Sequence, residues 1–131
     1  MKKQVISKEY LKETIKYIIV GLMNTIIAFL AYYIVFSFTT NYLLALAALY
    51  IAGILNSFFW NKYWTFESKG DAKKEFSKFI IVYIITFIIN YLLLLVLVGK
   101  LNLDKSLAGI VSVIIAIVVS YIGNKLWSFR I

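Results

Sequence analysis

Five asparagines lie within or at the ends of otherwise apolar stretches: Asn24, Asn56, Asn61, Asn90 and Asn124. A side-chain amide both donates and accepts hydrogen bonds. Such residues either tie helices together or line a polar vestibule able to hold a headgroup. Lysines mark the same places. Lys16 and Lys78 open apolar runs, Lys62 and Lys125 close them, and Trp64 and Trp127 stand two residues beyond the latter pair. Cations next to helix ends attract anionic headgroups, and tryptophans there serve as interfacial anchors.

The missing residues narrow the chemistry further. No Asp or Glu falls between residues 17 and 61 or between 79 and 99, so a carboxylate proton relay inside the membrane is not expected. That disfavours a proton-coupled small-molecule exporter. Histidine and cysteine are absent, which removes the commonest general base and the thiolate metal ligand. No nucleophile–base pair, metal cluster or phosphate-cradling glycine loop is present. The expectation is a protein without catalytic residues, cofactor or metal. Glu9, Glu13, Glu67, Asp71 and Glu75 read as ion-paired surface charge among lysines.

The elements that must position these residues are apolar helices. Of 131 residues 63% are hydrophobic, and the mean hydropathy is +0.88, well above the near-half apolar content of a soluble domain. Four stretches have the length and low charge of membrane-spanning helices: 16–38, 42–61, 79–98 and 107–127. None alternates polar and apolar residues as a barrel strand does. The first is too long for the core of a signal peptide and lacks a small-residue cleavage site after it, so it reads as a retained helix. Residues 7–15 and 71–77 look like short amphipathic lead-ins, the second with Asp71 as its N-cap.

Charge sets the orientation. Twelve basic residues lie before or at the start of the first span, between the second and third, and at the end of the fourth or after it, whereas the opposite side holds Lys100 and Lys105 alone. Both termini are therefore expected in the cytoplasm of a bacterial-type cell membrane. The net charge of +8 is explained by helix ends meeting anionic lipid, and no nucleic-acid partner is expected.

The two halves of the chain, 13–66 and 75–129, resemble each other. Glu13-Thr-Ile-Lys16-Tyr-Ile-Ile-Val20 recurs 62 residues later as Glu75-Phe-Ser-Lys78-Phe-Ile-Ile-Val82. Asn61-Lys62-Tyr-Trp64-Thr65-Phe66 recurs 63 residues later as Asn124-Lys125-Leu-Trp127-Ser128-Phe129. Leu44-Ala45 matches Leu107-Ala108 at the later offset, which puts the gained residue before the fourth span. Each half holds two spans, so both enter the membrane in the same direction, as a parallel repeat. The expected fold is an all-α membrane protein of four transmembrane helices, built as two repeated hairpins. Ala108, Ser112, Ala116, Ser120 and Asn124 form a small-residue stripe on the fourth span, and Ala45, Ala48, Ala52 and Asn56 form one on the second. Such stripes let helices approach closely.

The sequence Lys16-Tyr-Ile-Ile-Val-Gly21-Leu-Met-Asn24-Thr25, with Asn56-Ser57-Phe-Phe-Trp-Asn61-Lys62-Tyr-Trp64-Thr65-Phe66, resembles the GtrA-like family. Lys78-Phe79 and Ser120-Tyr-Ile-Gly-Asn124-Lys125-Leu-Trp127-Ser128-Phe129 extend the resemblance over nearly the whole chain. Relatives often carry arginine at the places of Lys62 and Lys78; lysine keeps the charge without the bidentate fork. The resemblance implies a passive flippase that carries polyprenyl-phosphate-linked monosaccharide to the outer leaflet, for polysaccharide or teichoic acid glycosylation by a partner glycosyltransferase. It carries over Asn24, Thr25, Asn61, Lys62, Lys78 and Asn124 as functional. On that reading Lys16, Lys62, Lys78 and Lys125 gather the phosphate. Asn24, Asn56, Asn61 and Asn124 bond the headgroup, and Trp64 and Trp127 stack on the sugar or anchor the helices. Four short helices enclose little space for a sugar, so a homo-oligomer, a dimer or higher, is expected. The alternative is a non-transporting accessory or anchor subunit of a membrane glycosyltransferase.

Overall fold

The structure is a computed structural model and describes residues 1–130. Four α-helices follow one another: α1 (Lys2–Thr39), α2 (Tyr42–Trp60), α3 (Ala72–Leu94) and α4 (Lys105–Gly123). Wider π-helical turns prolong the last three, at Asn61–Thr65, Leu95–Lys100 and Asn124–Ser128. With those turns included, all four are long and apolar enough to cross a membrane, and no strand occurs among the described residues. Large apolar side chains such as Leu22 (65% exposed), Phe29 (63%) and Ile114 (57%) face outward. Lipid is the solvent in which such a surface is stable.

The chain divides into two compact units, Met1–Ser68 and Lys69–Ile131. Each is one helical hairpin, and the sequence repeat holds in three dimensions inside each. Val20 and Val82 are buried at matching places, as are Ala45 and Ala108, Asn61 and Asn124, and Thr65 and Ser128. Of the expected stripes, Ala108 and Ser112 are buried on α4 and Asn124 in the turn that follows it, with Ala116 and Ser120 half-buried; on α2 Ala45 is buried and Ala48, Ala52 and Asn56 are half-buried, beside the buried Gly53.

The hairpin turns locate the gained residue. In the first unit Thr40 takes a left-handed conformation (φ 52°) and its N–H donates to the Phe36 carbonyl at 2.8 Å. Asn41 then caps α2, its Oδ1 accepting from the N–H groups of Leu43 and Leu44 at 3.0 and 3.3 Å. In the second unit Asn102 is the left-handed residue (φ 52°), and the cap is Asp104, which accepts from the Leu107 N–H at 3.3 Å. Thr40 and Asn102 differ by 62 positions, the two caps by 63. The extra residue therefore lies in the turn before α4. There the end of α3 closes through Leu101 N–H to the Val96 carbonyl, 3.1 Å, a bond one residue wider than that of Thr40.

The expected lead-ins prove not to be separate. Residues 7–15 are continuous with α1, whose 38 residues span about 57 Å, against a hydrocarbon thickness of about 30 Å. Residues 72–77 form the start of α3. Asp71 is its N-cap as expected, accepting from the Lys73 N–H at 3.1 Å. The third span runs past residue 98 to Lys100 through its π turn.

Candidate functional site

In the first unit the π turn at Asn61–Thr65 ends α2 with the Phe66 N–H donating to the Asn61 carbonyl, 2.9 Å, and the Ser68 N–H donating to the Lys62 carbonyl, 2.8 Å. These wide bonds hold the motif residues in place. Asn61, Lys62 and Thr65 become buried, at 2%, 2% and 5% exposure. The amide nitrogen of Asn61 donates to Ser57 Oγ at 3.2 Å, while its Oδ1 and the Thr65 hydroxyl are buried without a hydrogen-bond partner. Such atoms are costly in an apolar interior and stand ready for a ligand or water. Phe66 lies against Tyr17 of α1, ring centroids 6.0 Å apart.

Beside this turn the Lys16 ammonium is held three ways. It donates to the Trp64 carbonyl at 3.0 Å, lies 5.3 Å from the Trp64 ring centroid and pairs with Glu67 Oε1 at 3.5 Å. Glu67 itself is left-handed, with φ 48°. The ammonium of Lys62 lies 5.5 Å from the Tyr63 ring. Asn24 and Asn56 meet farther along the hairpin, Asn56 Nδ2 donating to Asn24 Oδ1 at 3.5 Å, a long and therefore weak bond. Gly53 faces this pair: a β-carbon there would sit 3.5 Å from Asn24 Nδ2, an ordinary contact. Eight residues separate Asn24 from Lys16, about 12 Å of helix. Thr25 joins neither group: it is exposed, and its hydroxyl donates back to the Gly21 carbonyl at 3.1 Å.

The second unit repeats the arrangement. The Phe129 N–H donates to the Asn124 carbonyl at 2.9 Å, and Asn124 and Ser128 are buried at 2% and 1% exposure. The Ser128 hydroxyl has no hydrogen-bond partner. Phe129 meets Phe79 at 6.1 Å, as Phe66 meets Tyr17. Lys78 Nζ lies 5.7 Å from the Trp127 ring, the counterpart of Lys16 on Trp64. Lys125 donates to the Tyr121 hydroxyl at 3.3 Å. Asn24 has as its counterpart Thr86, whose buried hydroxyl lacks a hydrogen bond.

Each unit thus gathers at one end a lysine on a tryptophan, a buried asparagine and a buried hydroxyl. The set suits an anionic group attached to a polyhydroxylated one: ammonium for charge, amide and hydroxyl for hydrogen bonds, ring for an apolar sugar face. Thr65, Ser128 and Glu67 were not singled out from the sequence, although the first two occupy matching places in the repeat. Glu75 corrects an expectation, because it is 5% exposed rather than a surface charge. No group of three or more acidic, histidine or cysteine residues able to hold a metal occurs among the described residues.

The comparisons with known proteins identify the family. The family model for the GtrA/DPMS transmembrane domain matches residues 16–129. Similar proteins include the uncharacterized membrane protein YngA of Bacillus subtilis (strain 168), 32% identical over 93% of this chain and 82% of its own. The uncharacterized membrane protein YwcD of the same organism is 29% identical over 87% of this chain and 94% of its own. With four apolar helices and a family match across all of them, the chain is a multi-pass membrane protein that belongs to the GtrA/DPMS transmembrane-domain family.

Proposed function

We propose that the protein is a passive flippase that moves a polyprenyl-phosphate-linked monosaccharide from the cytoplasmic to the outer leaflet of the cell membrane. The sugar then serves a partner glycosyltransferase that decorates polysaccharide or teichoic acid. The observation that carries this reading is the repeated seat of a lysine ammonium over a tryptophan ring, beside a π turn with a buried asparagine. Positive charge on the side of Lys16, Lys62, Lys78 and Lys125 makes it the cytoplasmic side. The phosphate is gathered there, and Asn61 and Asn124 replace hydrogen bonds that the headgroup loses on leaving water. The Asn24–Asn56 pair, about 12 Å deeper along α1, is the next polar station. The polyprenyl tail stays in lipid, and the chain works as a dimer or higher homo-oligomer.

The chain's own residues perform no bond chemistry in this scheme. The driving force is the membrane potential acting on the phosphate charge, together with consumption of the sugar outside.

The test is transbilayer movement of a short-chain polyprenyl-phosphate sugar in liposomes holding the purified chain, with Asn61→Ala and Lys125→Ala beside it. Rapid movement that both substitutions abolish supports the flippase. Well-folded protein that moves none of several sugars, yet co-purifies with a glycosyltransferase, establishes the accessory-subunit reading instead.

A further inference from the structure

We infer that the two repeats are unequal anion sites: Glu67 serves the Lys16 ammonium as a built-in counter-ion, and the uncompensated Lys78 ammonium on Trp127 is where a phosphate first binds. This rests on the headgroup reading above and adds an order of events to it.

The repeat makes the inequality visible. Lys16 aligns with Lys78, Trp64 with Trp127 and Phe66 with Phe129, but the next position holds Glu67 in one half and Arg130 in the other. Lys16 has a carbonyl at 3.0 Å and a carboxylate at 3.5 Å besides its ring. Lys78 has the Trp127 ring at 5.7 Å and, among the described residues, no ion-pair partner. Beyond Glu13 and Glu75, which both halves share, the motif positions carry two cations and one anion (Lys16, Lys62, Glu67) in the first half, against three cations (Lys78, Lys125, Arg130) in the second.

The placement of Glu67 is specific. It sits in a left-handed conformation, which glutamate seldom adopts, and the Phe66 and Ser68 N–H bonds on either side fix it there. Its carboxylate offers Lys16 the chemistry a phosphate oxygen would offer: a single negative oxygen at hydrogen-bonding range. Its side chain is 74% exposed, against 16% for Lys16. The pair therefore keeps the Lys16 seat occupied from within the chain, and an anion can bind there only by displacing Glu67. An anion arriving from the membrane surface meets an open cation at Lys78 and a satisfied one at Lys16.

The experiment measures binding of farnesyl phosphate to the full chain in phosphatidylcholine nanodiscs, with farnesol as the uncharged control. One phosphate per chain is expected. Lys78→Gln should weaken it at least about tenfold, the loss of one charge-assisted bond, and Lys78→Arg should restore it. Glu67→Gln should raise the stoichiometry to two per chain, and adding Lys16→Gln to that variant should return it to one. Farnesol binding as tightly as farnesyl phosphate, native affinity in Lys78→Gln, or a Glu67→Gln variant that still binds one phosphate would each overturn the inference. Phosphatidylglycerol competing as well as farnesyl phosphate would uphold the unequal sites while removing the lipid-linked-sugar reading, so the two can fail separately.

Discussion

Gly123 lies one residue before the buried Asn124, and a β-carbon added there would stand 3.0 Å from Val82 Cγ1 and 3.3 Å from Cγ2. Val82 is 6% exposed, its branched side chain has few alternative rotamers, and Gly123 is itself helical, so neither partner yields cheaply. Overpacking of this kind costs about 1–3 kcal/mol. In a soluble helix alanine would recover up to about 1 kcal/mol through propensity. Apolar spans stay largely helical when their packing is lost in detergent, because their backbone groups must remain bonded, so that compensation is mostly absent. Gly123→Ala should therefore destabilise the second unit by about 1–3 kcal/mol. At Gly53 the corresponding β-carbon meets its neighbours at 3.5–3.6 Å, an ordinary contact, and Gly53→Ala should be close to neutral. Unfolding in mixed detergent micelles, followed by the fluorescence of the tryptophans, reads both. Val82→Ala removes the atoms in conflict, so the double variant should be more stable than the sum of the single changes by about 1 kcal/mol or more. Strict additivity, or equal effects at Gly53 and Gly123, would refute the close contact.

Three further outcomes are expected. Thr40 is β-branched in a left-handed conformation, so Thr40→Asn should stabilise the first hairpin by about 0.5–1 kcal/mol in the same unfolding assay, and a loss of stability would show the strain to be illusory. Fluorescent proteins fused to either end should both fold and fluoresce in the cytoplasm, and a dark fusion at one end would contradict the reading of the charges. A potential of 100 mV, negative on the side of Lys16 and Lys78, should favour outward movement of a singly charged phosphate by up to about 2.3 kcal/mol, roughly fiftyfold at equilibrium; an unchanged distribution would mean that the charge does not cross the field.

The four helices were legible because solvent chose them: uncharged apolar runs of that length have few alternatives to spanning lipid. The repeat and its gained residue were legible too, since Glu, Lys, Asn and Trp recur at fixed offsets, and the turn at Asn102–Asp104 confirms the place of the insertion. The pairing of Lys16 with Glu67 was not. The two lie 51 residues apart, and a lysine-rich surface offers a glutamate many equally plausible partners. The burial of Glu75 was missed for a related reason: a seven-residue lead-in holds too few turns for its periodicity to separate an inward face from an outward one.

The π turns left no sequence signal either, and they do most to shape the site. Three occur among the described residues, so their presence alone marks no function: Leu95–Lys100 buries Leu97 and no polar side chain. The other two begin at Asn61 and Asn124, and there the widening has a consequence. A wider turn lags behind regular α-helical rotation, so the residue closing it points to a different side than an unbroken helix would give. In both units that residue is a phenylalanine, brought against the ring at the matching place on the first helix of its hairpin, at 6.0 Å in one and 6.1 Å in the other. The residue two before it is the tryptophan that meets Lys16 or Lys78. The asparagine that opens the turn gives its carbonyl to the closing bond and buries its side chain. One widened turn thus does two jobs: it pins the helix end through a ring contact, and it presents a ring to the lysine beside a buried amide. A residue inserted or deleted within the turn would disturb both together. The aromatic contact and the lysine seat are therefore one structural unit, and a substitution at Phe66 or Phe129 should displace the neighbouring lysine without touching it.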